Sequence, residues 1–131
     1  MNLVEKLMKI DAKELTKIET KKIYSKRLSN IFNEDTYVTI RAIDGDAFME
    51  ISASGLREDG EVDISKAFDT NSQIAVEGII EPDLKDEELQ SYLGVESPAD
   101  AAKVLLRGEI NKIAQQISEL SGFGEDDEIK N

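Results

Sequence analysis

Ser97-Pro98-Ala99-Asp100 is the tract that most narrows what this chain can fold into. The serine hydroxyl can accept from an amide of the first helical turn, and the proline sits where its missing N–H costs nothing. The aspartate places an acid near the helix start. Behind this signal, Ala101, Val104 and Leu105, then Ile110, Ile113, Ala114, Ile117 and Leu120, recur at helical spacing. A kink is expected at Gly108 and a stop at Gly122.

Upstream, Leu3, Leu7, Ile10, Ala12 and Leu15 suit a short amphipathic helix, or one that breaks at Asp11, giving an N-terminal helical arm at 1–15. Its apolar stripe either packs on its own domain or docks on another protein. KKIYSKRLSNIF and TYVTIRAI are rich in β-branched and aromatic residues and are separated by Asn33-Glu34-Asp35, which predicts an antiparallel hairpin over about residues 21–43. In its second arm Tyr37, Thr39, Arg41 and Ile43 alternate with Val38, Ile40 and Ala42, so one face is apolar and the other mixed.

Asp44 can cap a short helix from about Ala47 to Ala53, and GLREDG (residues 55–60) is a loop by its glycines and charges. Asp63 can cap a helix to about Gly78, with Ile64, Ala67, Phe68, Ala75 and Ile79 as its stripe. Asn71 falls on that stripe and calls for a polar neighbour. A further short helix over Asp83–Leu93, stopped by Gly94, is expected to form a helical hairpin with the preceding one around Pro82. The expected fold is α+β, mainly α-helical, a single domain over 1–131 with one hairpin packed on C-terminal helices and a frayed acidic tail at 124–131.

The side chains exclude much chemistry. Cysteine and histidine are both absent, which removes disulfides, thiolate nucleophiles, Ser-His pairs and imidazole metal ligands. A net charge of −12 disfavours nucleic acid and anionic membranes as partners. Residues 1–43 carry nine basic and six acidic side chains, whereas residues 44–131 carry seven and twenty-two, so the two parts differ in sign. No apolar run reaches membrane-spanning length, and the acidic residues of MNLVEKLMKIDAKEL do not fit a signal peptide, so a cytoplasmic location is expected.

The acidic pairs Asp44/Asp46, Glu58/Asp59 and Asp86/Glu87/Glu88 lie in runs that read as solvated, not in the apolar setting acid–base catalysis requires. DGDAFME lacks the remaining calcium-loop ligands, and no glycine pattern matches a phosphate-binding loop. No catalytic residue, metal or cofactor is therefore expected. The basic run Lys21, Lys22, Lys26 and Arg27 reads as protection of an exposed strand edge. Phe123, between Gly122 and Gly124, either plugs the end of the last helix or reaches a partner.

The tracts EPDLKDEEL, LLRGEI and ISELSGFGED resemble the C-terminal half of the XkdN-like tail assembly chaperones of contractile-tailed phages and phage-like elements. The opening MNLVEKLMKID and the run ending in IRAI extend the resemblance over nearly the whole chain, most weakly between Gly55 and Asp69. The resemblance implies a non-enzymatic protein of the bacterial host cytoplasm. It implies binding to the tape measure protein, with the tail tube protein as a further candidate partner, and absence from the finished tail. It also implies that a frameshifted longer form could arise after Phe123, and a protein coating a long client is compatible with homo-oligomers. The candidate partner-binding residues are Leu3, Leu7 and Ile10 in the first helix and Ile113, Ile117, Leu120 and Phe123 in the last, each of which also suits a core. Two other readings stand beside this one: a structural tail component retained in the particle, and an acidic inhibitor that mimics nucleic acid.

Overall fold

Ile110, Ile113, Ala114 and Ile117 are all buried, so the stripe of the last helix, α8 (Glu109–Leu120), forms the spine of the protein. The computed structural model describes residues 1–123; the acidic tail expected at 124–131 lies outside the described residues. Around α8 the chain runs α1 (Leu3–Met8), α2 (Ala12–Thr16), β1 (Thr20–Tyr24), α3 (Lys26–Phe32), β2 (Tyr37–Arg41) and α4 (Gly45–Ser54). It continues through a single 3₁₀ turn (Ile64–Lys66) into α5 (Ala67–Gly78), β3 (Ile79–Glu81), α6 (Glu87–Leu93) and α7 (Pro98–Leu106). The fold is α+β and mainly helical.

The strands form one antiparallel sheet in the order β1-β2-β3. Thr20 to Tyr24 face Arg41 to Tyr37 residue by residue, and β2 turns its other edge to β3 through Thr39 and Ile40. The alternation in β2 falls as the sequence indicates, with Val38 and Ile40 fully buried against the helices. On the helical layer α5 packs on α8, α7 and α4, and α8 also meets β2. One cluster joins Ile23, Val38, Ile40, Ile79, Ala75, Leu106 and the α8 stripe. Asn71, on α5, finds its polar neighbour in Asn111 on α8, at 2.9 Å between the side-chain amides.

Four expectations are corrected. The antiparallel pairing within 21–43 stands, but its first arm ends at Tyr24, and Lys26–Phe32 is a helix where a continuing strand was expected. Ser25 caps that helix by accepting from the Leu28 amide at 3.1 Å, and the Glu109 carboxylate also holds its start, accepting from the Ser25 hydroxyl (2.6 Å) and the Lys26 amide (3.0 Å). Second, Ile79 does not extend α5 but begins β3, so α5 and α6 are separated by a strand and do not form a helical hairpin around Pro82. Third, α6 starts only at Glu87, because Asp86 caps it by accepting from the Glu88 and Leu89 amides. Fourth, the C-terminal helix is broken, not merely kinked: Arg107 takes φ 50°, ψ −127°, ending α7 one residue before Gly108.

Because Glu109 ties together elements more than 80 residues apart, Glu109→Gln is a sensitive probe of the α3 arrangement. A hydrogen bond to a charged acceptor contributes more than a neutral one, so this substitution is expected to cost about 1 kcal/mol of unfolding free energy in urea denaturation. An unchanged denaturation midpoint would show that α3 is held by its own cap and its packing alone.

Candidate partner-binding surface

No residue before Ile23 is buried. Residues 1–22 are all exposed, and neither α1 nor α2 contains a buried side chain. Local capping accounts for both helices: the Asn2 side chain accepts from the Glu5 amide at 2.9 Å, and Asp11 accepts from the Lys13 amide at 2.9 Å. The break at Asp11 is thus a new N-cap. Caps of this kind contribute about 1 kcal/mol each, and helices of six and five residues are marginal in water without tertiary packing.

This arm carries a concentrated apolar load. Leu3 is 69% exposed, Met8 80% and Ile10 48%, with Val4, Leu7, Leu15 and Ile18 also open to solvent. Lys6, Lys9, Lys13 and Lys17 are interspersed among them. Of the two readings of the stripe, packing on the arm's own body is not realised. Leu3, Leu7 and Ile10 remain an unpartnered surface, which is unusual for so many apolar side chains in one short segment.

The candidates on α8 divide differently. Ile113 and Ile117 are core residues, 1% and 0% exposed, and face α5 and the sheet, so they offer no surface to a partner. Leu120 is half-buried against the same core. Phe123 takes the plug arrangement: its amide donates to Ser118 O at 2.8 Å across Gly122 at φ +89°, and its ring stacks on Phe48, centroids 4.4 Å apart at 6°. Ser121 strengthens this end by accepting from the Ile43 amide at 2.8 Å while donating to Ile117 O. Phe123 nonetheless keeps 42% of its surface in solvent.

A second surface was not anticipated from the sequence. Residues 55–60, expected as a loop, fold with residues 61–63 into a tight turn in which Leu56 and Val62 pair as an isolated antiparallel bridge. Beside it, between α4 and α5, lies a groove of about 320 Å³ lined by Phe48, Leu56, Val62, Thr70 and Ile74. The available signal was the pair of apolar residues flanking the charged run REDGE. Asp63, at the groove's edge, has its carboxyl held below its usual range, chiefly by the Ser65 hydroxyl that donates to it, so it stays ionised.

The charged features have structural explanations. Of the four residues read as protecting a strand edge, Lys21 and Lys22 lie on β1, an edge strand, whereas Lys26 and Arg27 lie on α3; Lys21 also reaches Gln116 at 2.9 Å. Arg27 donates to Leu105 O at 3.0 Å. Asp44, from the DGDAFME tract, caps α4 by accepting from the Ala47 amide at 2.7 Å. Among the described residues no three Asp or Glu side chains gather as a metal site, and no helix is long and apolar enough to cross a membrane.

Comparison with known proteins adds two matches to this geometry. A sequence family described as phage XkdN-like tail assembly chaperone protein matches residues 4–131. The crystal structure of the protein yqbn is similar in fold, with a TM-score of 0.56 at 22% identity, covering 80% of this chain and 87% of that one. No curated protein gives a significant match.

Proposed function

The chain belongs to the XkdN-like phage tail assembly chaperone family, and from that premise we propose that it binds the tape measure protein and keeps it soluble while the tail tube assembles around it. The family's role is one of assembly, not catalysis. The proposed chaperone acts in the cytoplasm of the bacterial host and leaves before the tail is complete.

The observation that carries this reading is the N-terminal arm, whose helices have caps but no core of their own. An amphipathic client helix would bury Leu3, Leu7 and Ile10 together with its own apolar stripe, each such side chain contributing about 1.5–3 kcal/mol on full burial. The net charge of −12 would keep the complex dispersed while the client's apolar surface is covered.

Co-expression with the tape measure protein of the same phage or prophage tests the proposal. The client is expected to become soluble and to co-purify with this chain, and the chain to be missing from mature tails. A client that stays insoluble, with this chain present stoichiometrically in the particle, would identify a retained tail component instead. Binding only to a basic host protein, lost as salt is raised, would identify an acidic inhibitor.

A further inference from the structure

The turn at 55–63 is built more firmly than a loop needs to be. Besides the Leu56–Val62 bridge, the Arg57 amide donates to Glu61 O at 2.7 Å and the Asp63 amide to Gly55 O at 2.9 Å. The Asp59 carboxylate accepts from the Glu61 amide at 2.9 Å and closes the tip. This framework holds Val62 64% exposed at the lip of the groove, above Phe48 and Ile74. A β-branched apolar side chain fixed in solvent over an apolar floor presents a preformed docking edge, and preorganisation of this kind lowers the cost of binding.

Charge identifies the chemistry of what would cover it. The turn that closes the groove carries Glu58, Asp59, Glu61 and Asp63, of which Asp63 lines the groove and the other three are exposed, against Arg57 and, beside Asp63, Lys66. The groove therefore presents an apolar floor under an acidic rim. We propose that it is a second docking site, separate from the arm, for a basic amphipathic helix whose apolar stripe lies over Phe48, Leu56 and Val62 and whose flanking Lys or Arg side chains face the 57–63 turn. A second copy of this chain is the competing occupant, since its arm sets Lys6, Lys9, Lys13 and Lys17 among apolar residues, but that arm would bring a strongly acidic body with it against the acidic turn. That the helix belongs to the chaperone's client rests on the proposed function; the groove's preference for basic amphipathic helices does not.

The full chain can be titrated into a labelled synthetic 18-residue amphipathic helix made of leucine and lysine, and into its leucine and glutamate counterpart, with fluorescence anisotropy as readout. The lysine probe is expected to bind at least ~10-fold more tightly, with a preference that falls as salt is raised. Val62→Asn, at an exposed position, is expected to weaken the lysine probe ~10-fold while the circular dichroism spectrum is unchanged. The double reversal Glu58→Lys, Glu61→Lys, which leaves the Asp59 contact at the tip in place, is expected to shift the preference toward the glutamate probe. In contrast, Leu3→Asp, Leu7→Asp, Ile10→Asp on the arm should leave probe binding in place.

Probe affinity indifferent to Val62→Asn, or abolished by the arm substitutions, would overturn the proposal. So would light scattering showing that Val62→Asn dissolves a self-associated form without altering probe binding, since the groove would then belong to a neighbouring copy. Loss of the groove proposal with the tape measure protein still rescued in co-expression leaves the proposed function standing. Retained probe binding with no rescue removes that function and leaves the groove.

Discussion

Gly78→Ala is expected to destabilise the fold by about 2 kcal/mol, although an alanine would ordinarily be welcome in a helix. A methyl group at Gly78 would lie 2.5 Å from Ile117 Cδ1 and 2.7 Å from both Cγ1 and Cγ2, inside any real carbon–carbon contact. Ile117 is 0% exposed and its branched Cβ admits few rotamers, so the side chain has nowhere to withdraw. Overpacking of this kind costs about 1–3 kcal/mol, whereas the entropic benefit of replacing glycine in the unfolded chain is only about 0.4–1 kcal/mol. The clash wins, and Gly78→Val should cost more.

A double-mutant cycle separates this cause from a general effect at the α5–β3 junction. Ile117→Ala alone should cost about 2–5 kcal/mol by leaving a cavity. Combined with Gly78→Ala it should cost at least about 1 kcal/mol less than the two losses added, because the new methyl then fills space that Ile117 vacated. Strict additivity in urea denaturation would refute the contact between α5 and α8 as the reason for glycine at this position.

What could be read from the sequence was what its own neighbours determine. Ser97 accepts from the Asp100 amide at 3.1 Å as the tract Ser97-Pro98-Ala99-Asp100 indicates, and the α8 stripe is buried as its spacing requires. Asp44 and Asp63 likewise act as the caps expected of them, whereas Asp86, just as local a signal, caps a helix expected to begin earlier. What could not be read depends on residues far apart in the chain. Lys26–Phe32 looks extended by composition, but its start is held by Ser25 together with a carboxylate at position 109, and β3 pairs through Ile79 and Glu81 with Ile40 and Thr39. Ile79 falls on the helical stripe of α5 and is buried as the first residue of β3, so periodicity could not tell helix from strand there.

The same limit governs the candidate surface. Leu3, Leu7 and Ile10 carry the same kind of pattern as Ile113 and Ile117, yet the first set is open to solvent and the second is closed. Amphipathicity states that a stripe needs a partner; the identity of that partner is a property of the tertiary structure. The groove was missed for a related reason, since Leu56 and Val62 become one surface only when the charged run between them folds back on itself.

This division gives the function its most decisive test. The triple substitution Leu3→Asp, Leu7→Asp, Ile10→Asp places three charges on side chains that touch no core, so the unfolding free energy should move by no more than about 0.5 kcal/mol per site. Affinity for the tape measure protein should nevertheless fall on the order of a hundredfold, as expected if each of the three contributes even half of a full burial. The client should return to the insoluble fraction in co-expression. Ile113→Asp supplies the contrast, for it puts a charge into a site 1% exposed, and loss of client there should coincide with loss of the cooperative thermal transition. If the arm variant is folded and still holds the client in solution, the arm is not the chaperone's working surface, and the acidic groove on α4 and α5 becomes the place to look for it.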